Sequence, residues 1–425
     1  MLELFNKAKN SYLCNTSYPL DKSNFDSYRV NHNLKFDEDK LCLYIHIPFC
    51  NRLCHFCEYI KFKKDNVARE SQYLDILEKD VNEFLDNHAF TLYGFDIGGG
   101  TPTCLELNNF KRLMEIAKRI NSLNKVDDYE PSIEGTFNTI TEEKLELMVD
   151  AGFKRISLGI QTTNTKILNS QNRNVVTLDY MEKVFSMIRR AGIKKINVDF
   201  MYGLRNQEKD DICNSLECIK KLKPDHVTLY EMRYNMVNQK VDVSRDFLYE
   251  QYSIIYDKLI KMGYTGRFSQ NTFSLYDDYG LSSYLRYRMI ENVSYKGFGI
   301  SAQSKTSKGI SYNIGKNHES FDECIKYGTF LEVDTYLLPK EDLIAKYVMI
   351  SLYFGMFSLT IISNILSADA YNYYKEELDF LVKNKYIKID NNKCYLTKEG
   401  FKYYGAVGAL FYSKKVKEYF MEICK

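Results

Sequence analysis

Apolar positions recur with two different periods over the first half of the chain. Short runs with strand character lie at 42–47 (CLYIHI), 92–97 (LYGFDI), 132–136 (SIEGT), 155–161 (RISLGIQ), 195–203 (KINVDFMYG) and 225–232 (DHVTLYEM). Between them the apolar residues fall three or four apart, as on one face of a helix. Leu74, Leu77, Val81 and Phe84 make the first such face, and Phe110, Leu113, Ala117 and Ile120 the second. Thr139-Ile-Thr-Glu142 reads as a capping box that opens a third helix, stopped at Gly152. A fourth helix is predicted over 178–191, stopped at Gly192, and a fifth runs to about Leu222. Six strands separated by five helices are βα units, hence a parallel sheet with right-handed crossovers. The fold class predicted is α/β, a partial (βα)6 barrel of the TIM type. A plain doubly wound sheet is the runner-up, but the turn after the first strand has no G-x-G-x-x-G loop. In parallel barrels the chemistry sits at the C-terminal strand ends. That rule selects His46, Gly98 to Thr101, Glu134, Gln161, Asp199 and Glu231.

Beyond about Asn235 the alternation ends. The organisation predicted is an N-terminal arm (1–40), the barrel (41–235), an extension (236–338) and a helical cap (339–425). Residues 386–397 read as a hairpin, so the cap resembles a winged helix. Tyr347 to Ala368 carries no charge, long enough for a membrane span. Its serines, Asn364 and Gly355 favour a buried helix, a break at Gly355 and a second helix.

Fifty-eight basic residues nearly cancel 56 acidic ones, so no nucleic-acid footprint is expected, and no membrane partner either. The N-terminus lacks the apolar core and small-residue site of a secretory signal. Eleven scattered cysteines do not form a disulfide framework and fit a reducing, cytoplasmic setting with thiols available for metal.

The densest chemistry follows the first strand, in His46-Ile-Pro-Phe-Cys50-Asn-Arg-Leu-Cys54-His-Phe-Cys57. Three thiols on one tight loop can wrap a face of an iron–sulfur cluster and leave one iron open. Zinc is the alternative, with His55 or His46 as a fourth ligand.

Cys-x3-Cys-x2-Cys in this position resembles the radical S-adenosylmethionine (SAM) superfamily. Tyr44-Ile-His-Ile-Pro-Phe-Cys50, Gly98-Gly-Gly-Thr-Pro102 and Gly159-Ile-Gln161 resemble, more specifically, the oxygen-independent coproporphyrinogen III oxidase-like family. That family includes class C radical SAM methyltransferases, anaerobilin synthases and the haem chaperone. The resemblance runs from about Thr16 to the end. It implies a [4Fe–4S] cluster on Cys50, Cys54 and Cys57, and a SAM whose reductive cleavage gives a 5′-deoxyadenosyl radical. It places Tyr44, Gly98, Gly99, Gly100, Thr101, Glu134, Gln161, Arg173 and Asp199 around SAM. Tyr44, His46, Glu134 and Arg173 are the candidate catalytic residues. A second SAM is implied beside the first, near Met201, Gly297 and Ala302. The implied partners are a cyclic or tetrapyrrole-like small molecule and an electron donor such as flavodoxin or ferredoxin.

The sequence departs from the oxidase pattern. Tyr59 stands where the oxidase has a fourth cysteine, and Arg205 stands where it has the proline of Tyr-Gly-Leu-Pro. Asn15-Thr-Ser-Tyr-Pro19, by contrast, resembles the oxidase's N-terminal arm. Three functions follow: class C-type methyl or methylene transfer to an sp2 carbon, which the missing cysteine favours; decarboxylation of coproporphyrinogen III propionates; or binding and delivery of haem.

Overall fold

The computed structural model describes residues 1–9, 25–237, 243–315, 318–330 and 332–423. Asn15 to Pro19 lie outside the described residues. The six predicted strands are β1 (Lys40–Ile47), β2 (Thr91–Gly99), β3 (Ser132–Gly135), β4 (Arg155–Gln161), β5 (Lys195–Tyr202) and β6 (His226–Glu231). They pair in parallel and in sequence order. The connecting helices are α1 (Val67–Asn87), α2 (Leu107–Asn121), α3 (Glu142–Asp150), α4 (Leu178–Ala191) and α5 (Lys209–Leu222). Each buries one stripe: α4 turns Met181, Val184, Phe185 and Ile188 onto the sheet and keeps its Arg189 and Arg190 outside. Thr177 caps its start, and Gly192 ends it with φ 97°, a left-handed conformation that suits glycine.

One cap differs from the sequence reading. α3 begins at Glu142 behind Thr141, whose hydroxyl accepts the Lys144 N–H, and not behind Thr139. Ile140 is extended and buried, which holds the chain out of the helix for two more residues. Thr139 instead closes a preceding 3-10 turn in a reciprocal box with Thr136.

The chain beyond 235 adds to both edges of the same sheet. α6 (Arg245–Lys261) leads to β7 (Thr272–Ser274), antiparallel to β6. At the other edge β8 (Tyr295–Phe298) lies parallel to β1, placing Gly297 beside Tyr44. β9 (Gln303–Lys305), β10 (Gly309–Asn313) and β11 (Glu332–Leu337) follow antiparallel. The result is a mixed, open sheet of the barrel type with the parallel strands at its centre.

The uncharged segment folds as α7 (Lys340–Ser351), a turn at Gly355, a short strand β12 (Met356–Ser358) and α8 (Leu359–Leu366). Gly355 has φ 66°, and a Cβ there would stand 2.1 Å from Ser269 Oγ, so both conformation and space demand glycine. Among the described residues no helix is long and apolar enough to cross a membrane. α9 (Lys375–Lys383) precedes the predicted hairpin, β13 (Ile387–Asp390) and β14 (Lys393–Leu396). Asn391 and Asn392 turn it with φ 46° and 58°, as a two-residue hairpin requires. β14 sits between β12 and β13 in a small antiparallel sheet.

Candidate active site

The strand ends are tight, and that explains the glycines. A Cβ on Gly98 would stand 2.7 Å from the Glu134 carboxylate carbon. On Gly99, whose φ is 111°, it would meet the His46 ring at 2.4 Å, and on Gly100 the Phe49 carbonyl at 2.6 Å. The loop after β1 is pinned beneath them by a two-residue ladder of Phe49–Cys50 with Phe62–Lys63. Bare backbone at the end of β2 thus lets the cysteine loop and β3 close on it.

A cavity of about 360 Å³ opens there. Cys50, Cys54 and Cys57 line it with Gly99, Gly100, Thr101, Glu134, Gln161, Arg173, Asp199 and Met201. The Thr101 hydroxyl lies 3.5 Å from Cys50 Sγ. Arg173 donates from Nη2 to the Gly159 carbonyl at 2.5 Å and from Nη1 to Cys54 Sγ at 3.7 Å, so a cation fixed on β4 faces a thiol. Burial pushes the Cys50 thiol up to about 11 and raises Cys57 too, so ligation here displaces a proton from each sulfur.

Glu134 accepts the Gly99 N–H at 3.1 Å. Its surroundings and the Asp199 charge push its carboxyl up to about 7. Asp199 takes Ser157 Oγ–H at 3.1 Å and Asn197 Nδ2–H at 2.9 Å, yet its ordinary range is also raised by burial. Gln161 ends β4 with φ 66°, where the register with β5 slips, and its buried Oε1 has no hydrogen-bond partner among the described residues. A strained residue with an unsatisfied acceptor at a cavity wall is a group held ready for a ligand.

His46 is fully engaged inside the protein. Its Nε2–H donates to the Ile60 carbonyl at 3.0 Å, leaving Nδ1 to accept the Tyr44 hydroxyl at 3.3 Å. Burial holds this ring neutral, near 4. His55 Nδ1 is on the Ser170 carbonyl at 3.1 Å. Both histidines make these contacts away from the thiols, and among the described residues no three His, Cys, Asp or Glu side chains are placed to hold a single metal ion. Tyr44, His46 and Gly98 support the cavity from behind and do not line it. Gly297 and Ala302 are also outside its lining: a Cβ on Gly297 would meet the Gln303 carbonyl at 2.4 Å and Ala302 at 3.0 Å, so the glycine there serves the tight turn from β8 to β9.

Several lining residues escaped the sequence reading. Arg233 grips Glu58 through two bonds, Nε to Oε1 at 2.8 Å and Nη2 to Oε2 at 2.5 Å, and also donates to the Tyr353 hydroxyl. That pair ties the cysteine loop to the cap. Arg233 follows the end of β6, so the strand-end rule extended by two residues finds it. Tyr59, in the place of the missing cysteine, is 61% exposed and faces the cavity. Arg288 and Tyr353 come from segments with no βα rhythm, and no pattern marks them.

The model of the radical SAM superfamily matches residues 44–219. The haem chaperone HemW of Buchnera aphidicola subsp. Schizaphis graminum is 30% identical over 269 residues, 61% of this chain and 67% of that protein. The chain belongs to this family of radical SAM proteins. HemW of Lactococcus lactis is 25% identical over 369 residues, 84% of this chain and 93% of its relative. The oxygen-independent coproporphyrinogen III oxidase of Salmonella typhimurium is 32% identical over 203 residues, and the chain spans only 42% of it. Among solved structures, the coproporphyrinogen III oxidase HemN of Escherichia coli superposes with a TM-score of 0.72 at 23% identity, over 88% of this chain and 91% of that one. The radical SAM family implies a [4Fe–4S] cluster and SAM, and the site fits both. Cys50, Cys54 and Cys57 put three thiols, of the kind such a cluster takes, on one cavity wall, with the Arg173 guanidinium beside Cys54. The glycine-bared end of β2, the Gln161 oxygen and the two carboxylates offer acceptors that suit the ammonium and ribose hydroxyls of SAM, and the Arg173 guanidinium suits its carboxylate.

Proposed function

We propose that the protein performs radical SAM chemistry on a tetrapyrrole, with oxidative decarboxylation of a coproporphyrinogen-type propionate as the best-supported reaction. When bound, the cluster and SAM would supply a carbon-centred radical that takes one substrate hydrogen; release of CO2 with formation of the vinyl group leaves one further electron, which a one-electron acceptor must remove. The observation that carries the reading is that one cavity joins the thiols, Arg173 and Glu134 to a wall built by the cap and the later strands. A substrate held against that wall therefore shares one chamber with the radical source. The relatives that cover most of their own length, haem chaperones, and the oxidases of similar fold support a tetrapyrrole over a methyl acceptor. Methyl transfer, with a second SAM near Met201, loses its preference accordingly.

Haem binding and delivery is the second reading. Tyr59 in place of the fourth cysteine and the long match to HemW favour it. An anaerobic assay separates the two. The reconstituted protein is given SAM, a reductant and coproporphyrinogen III, and 5′-deoxyadenosine, S-adenosylhomocysteine and CO2 are measured. CO2 in step with 5′-deoxyadenosine is the expected result. Stable haem binding without CO2 replaces the first reading by the second. S-adenosylhomocysteine without CO2 sinks both and restores methyl transfer.

A further inference from the structure

Arg288 is set into the cavity wall by a break in regular helix. Residues Arg286–Ile290 form a single π-helical turn, a widened turn that often re-aims a side chain at a functional site. Its guanidinium lies over two buried rings, 4.3 Å from the centroid of Tyr295 and 5.4 Å from that of Tyr284. Tyr284 in turn stacks on Tyr44 at 5.7 Å, so Arg288 is coupled through aromatic contact to the strand that carries the cysteine loop.

This guanidinium is poorly satisfied for so enclosed a group. Nη2 reaches the Tyr295 hydroxyl at a long 3.4 Å, and Nε has no hydrogen-bond partner among the described residues. Among the described residues no carboxylate lies within ion-pair distance of it. The other arginines of the cavity differ: Arg233 is bidentate on Glu58, and Arg173 is bonded to Gly159 and Cys54. One buried lysine stands behind it. Lys305, opposite Tyr295 in the β8–β9 ladder, donates to Asn292 Oδ1 at 2.5 Å and is depressed to about 8 by burial and by Arg288. A buried guanidinium with no carboxylate beside it is costly unless an anion joins it. A guanidinium fork open on one side matches a carboxylate in two-point geometry.

We infer that Arg288 is the anchor for a carboxylate arm of the substrate, and that the ligand class is a macrocycle bearing ionised alkanoate side chains. The inference rests on the tetrapyrrole reading above and adds the group by which the ring is held. An arm fixed there orients the macrocycle so that another edge turns toward Gly99, Glu134 and the thiols.

The test is equilibrium binding under anaerobic conditions to the cluster-loaded, full-length protein, read by porphyrin fluorescence. The probes are coproporphyrin III and its tetramethyl ester, which keeps the ring and removes the charge. Arg288→Gln should weaken coproporphyrin III binding by roughly tenfold to a hundredfold, the usual range for a lost charge-assisted bond. Arg288→Lys keeps the charge without the fork and should lose less. The ester should bind wild type and Arg288→Gln alike, and the Kd for SAM should not carry the loss. Cluster absorbance in both variants checks that each has folded. If coproporphyrin III binds wild type and both variants within twofold, the anchor is overturned and the tetrapyrrole reading stands. A loss that falls on SAM instead overturns it by placing Arg288 at the cofactor. If wild type binds neither porphyrin, the tetrapyrrole reading fails and takes the anchor with it.

Discussion

Replacing Glu134 by glutamine removes one negative charge from the cavity while keeping an oxygen able to accept the Gly99 N–H, now at 3.1 Å. The carboxyl is pushed up to about 7 from an ordinary 4.5, first by desolvation and then by Asp199. A raised carboxyl binds its proton more tightly in the folded state. Folding therefore takes up a proton between about 4.5 and 7, and the SAM-free fold loses stability as pH rises through that window. In a dry interior the displacement corresponds to about 3 kcal/mol. Glu134 is exposed to the open cavity, however, and water there screens much of it. A net penalty of roughly 1–2 kcal/mol at pH 8 is the working figure. In the cluster-loaded, SAM-free protein, Glu134→Gln should raise Tm by roughly 1–3 °C at pH 8 and by nothing measurable near pH 4.5, with loss of SAM affinity. His46, held near 4, loses stabilisation at low pH equally in both proteins, so it cancels in the difference. Thermal unfolding at the two pH values, with SAM titration, is the assay. A variant less stable than wild type at pH 8, or a difference independent of pH, would refute the charge argument.

Cys54→Ala should abolish cluster absorbance and SAM cleavage together while leaving the far-UV circular dichroism in place; a cluster spectrum equal to wild type would remove Cys54 from the ligand set. Arg173→Lys keeps a positive charge but cannot hold Gly159 O and Cys54 Sγ at once. It should weaken SAM binding by about tenfold, one charge-assisted bond's worth, and isothermal titration giving an unchanged Kd would contradict that role. Gly400→Ala puts a Cβ 1.8 Å from the Tyr386 carbonyl, where the cap hairpin meets the following helix. The cap should lose roughly 1–3 kcal/mol and become sensitive to limited proteolysis, and wild-type resistance would show that the hairpin can give way.

The βα half of the molecule was open to reading because its information is local. The short apolar run around Leu43, Ile45 and Ile47 marks β1, buried on both faces, and Met181, Val184, Phe185 and Ile188 mark the buried stripe of α4; each pattern is legible without reference to the rest of the chain. The cysteine loop, the glycines of β2 and the strand-end carboxylates follow from that register, since a parallel sheet brings all its C-terminal ends to one rim. The start of α3 was misplaced by two residues because buried Ile140 overrides the Thr139 signal, a tertiary constraint on a local cap.

The sequence by itself pointed to the strand-end rim: Cys50, Cys54, Cys57, Gly99, Gly100, Thr101, Glu134, Gln161, Arg173 and Asp199, marked by strand ends, cysteine spacing and family resemblance, all line one cavity. Only the tertiary structure decided what faces them. Tyr44 and His46 hydrogen-bond each other outside the cavity lining, and Gly297 packs against the turn into β9. Arg233 and Glu58 meet across 175 residues, and Arg288 reaches the cavity from a π-helical turn beside β8. Such contacts depend on where antiparallel strands and cap helices dock, which no short period in the sequence encodes.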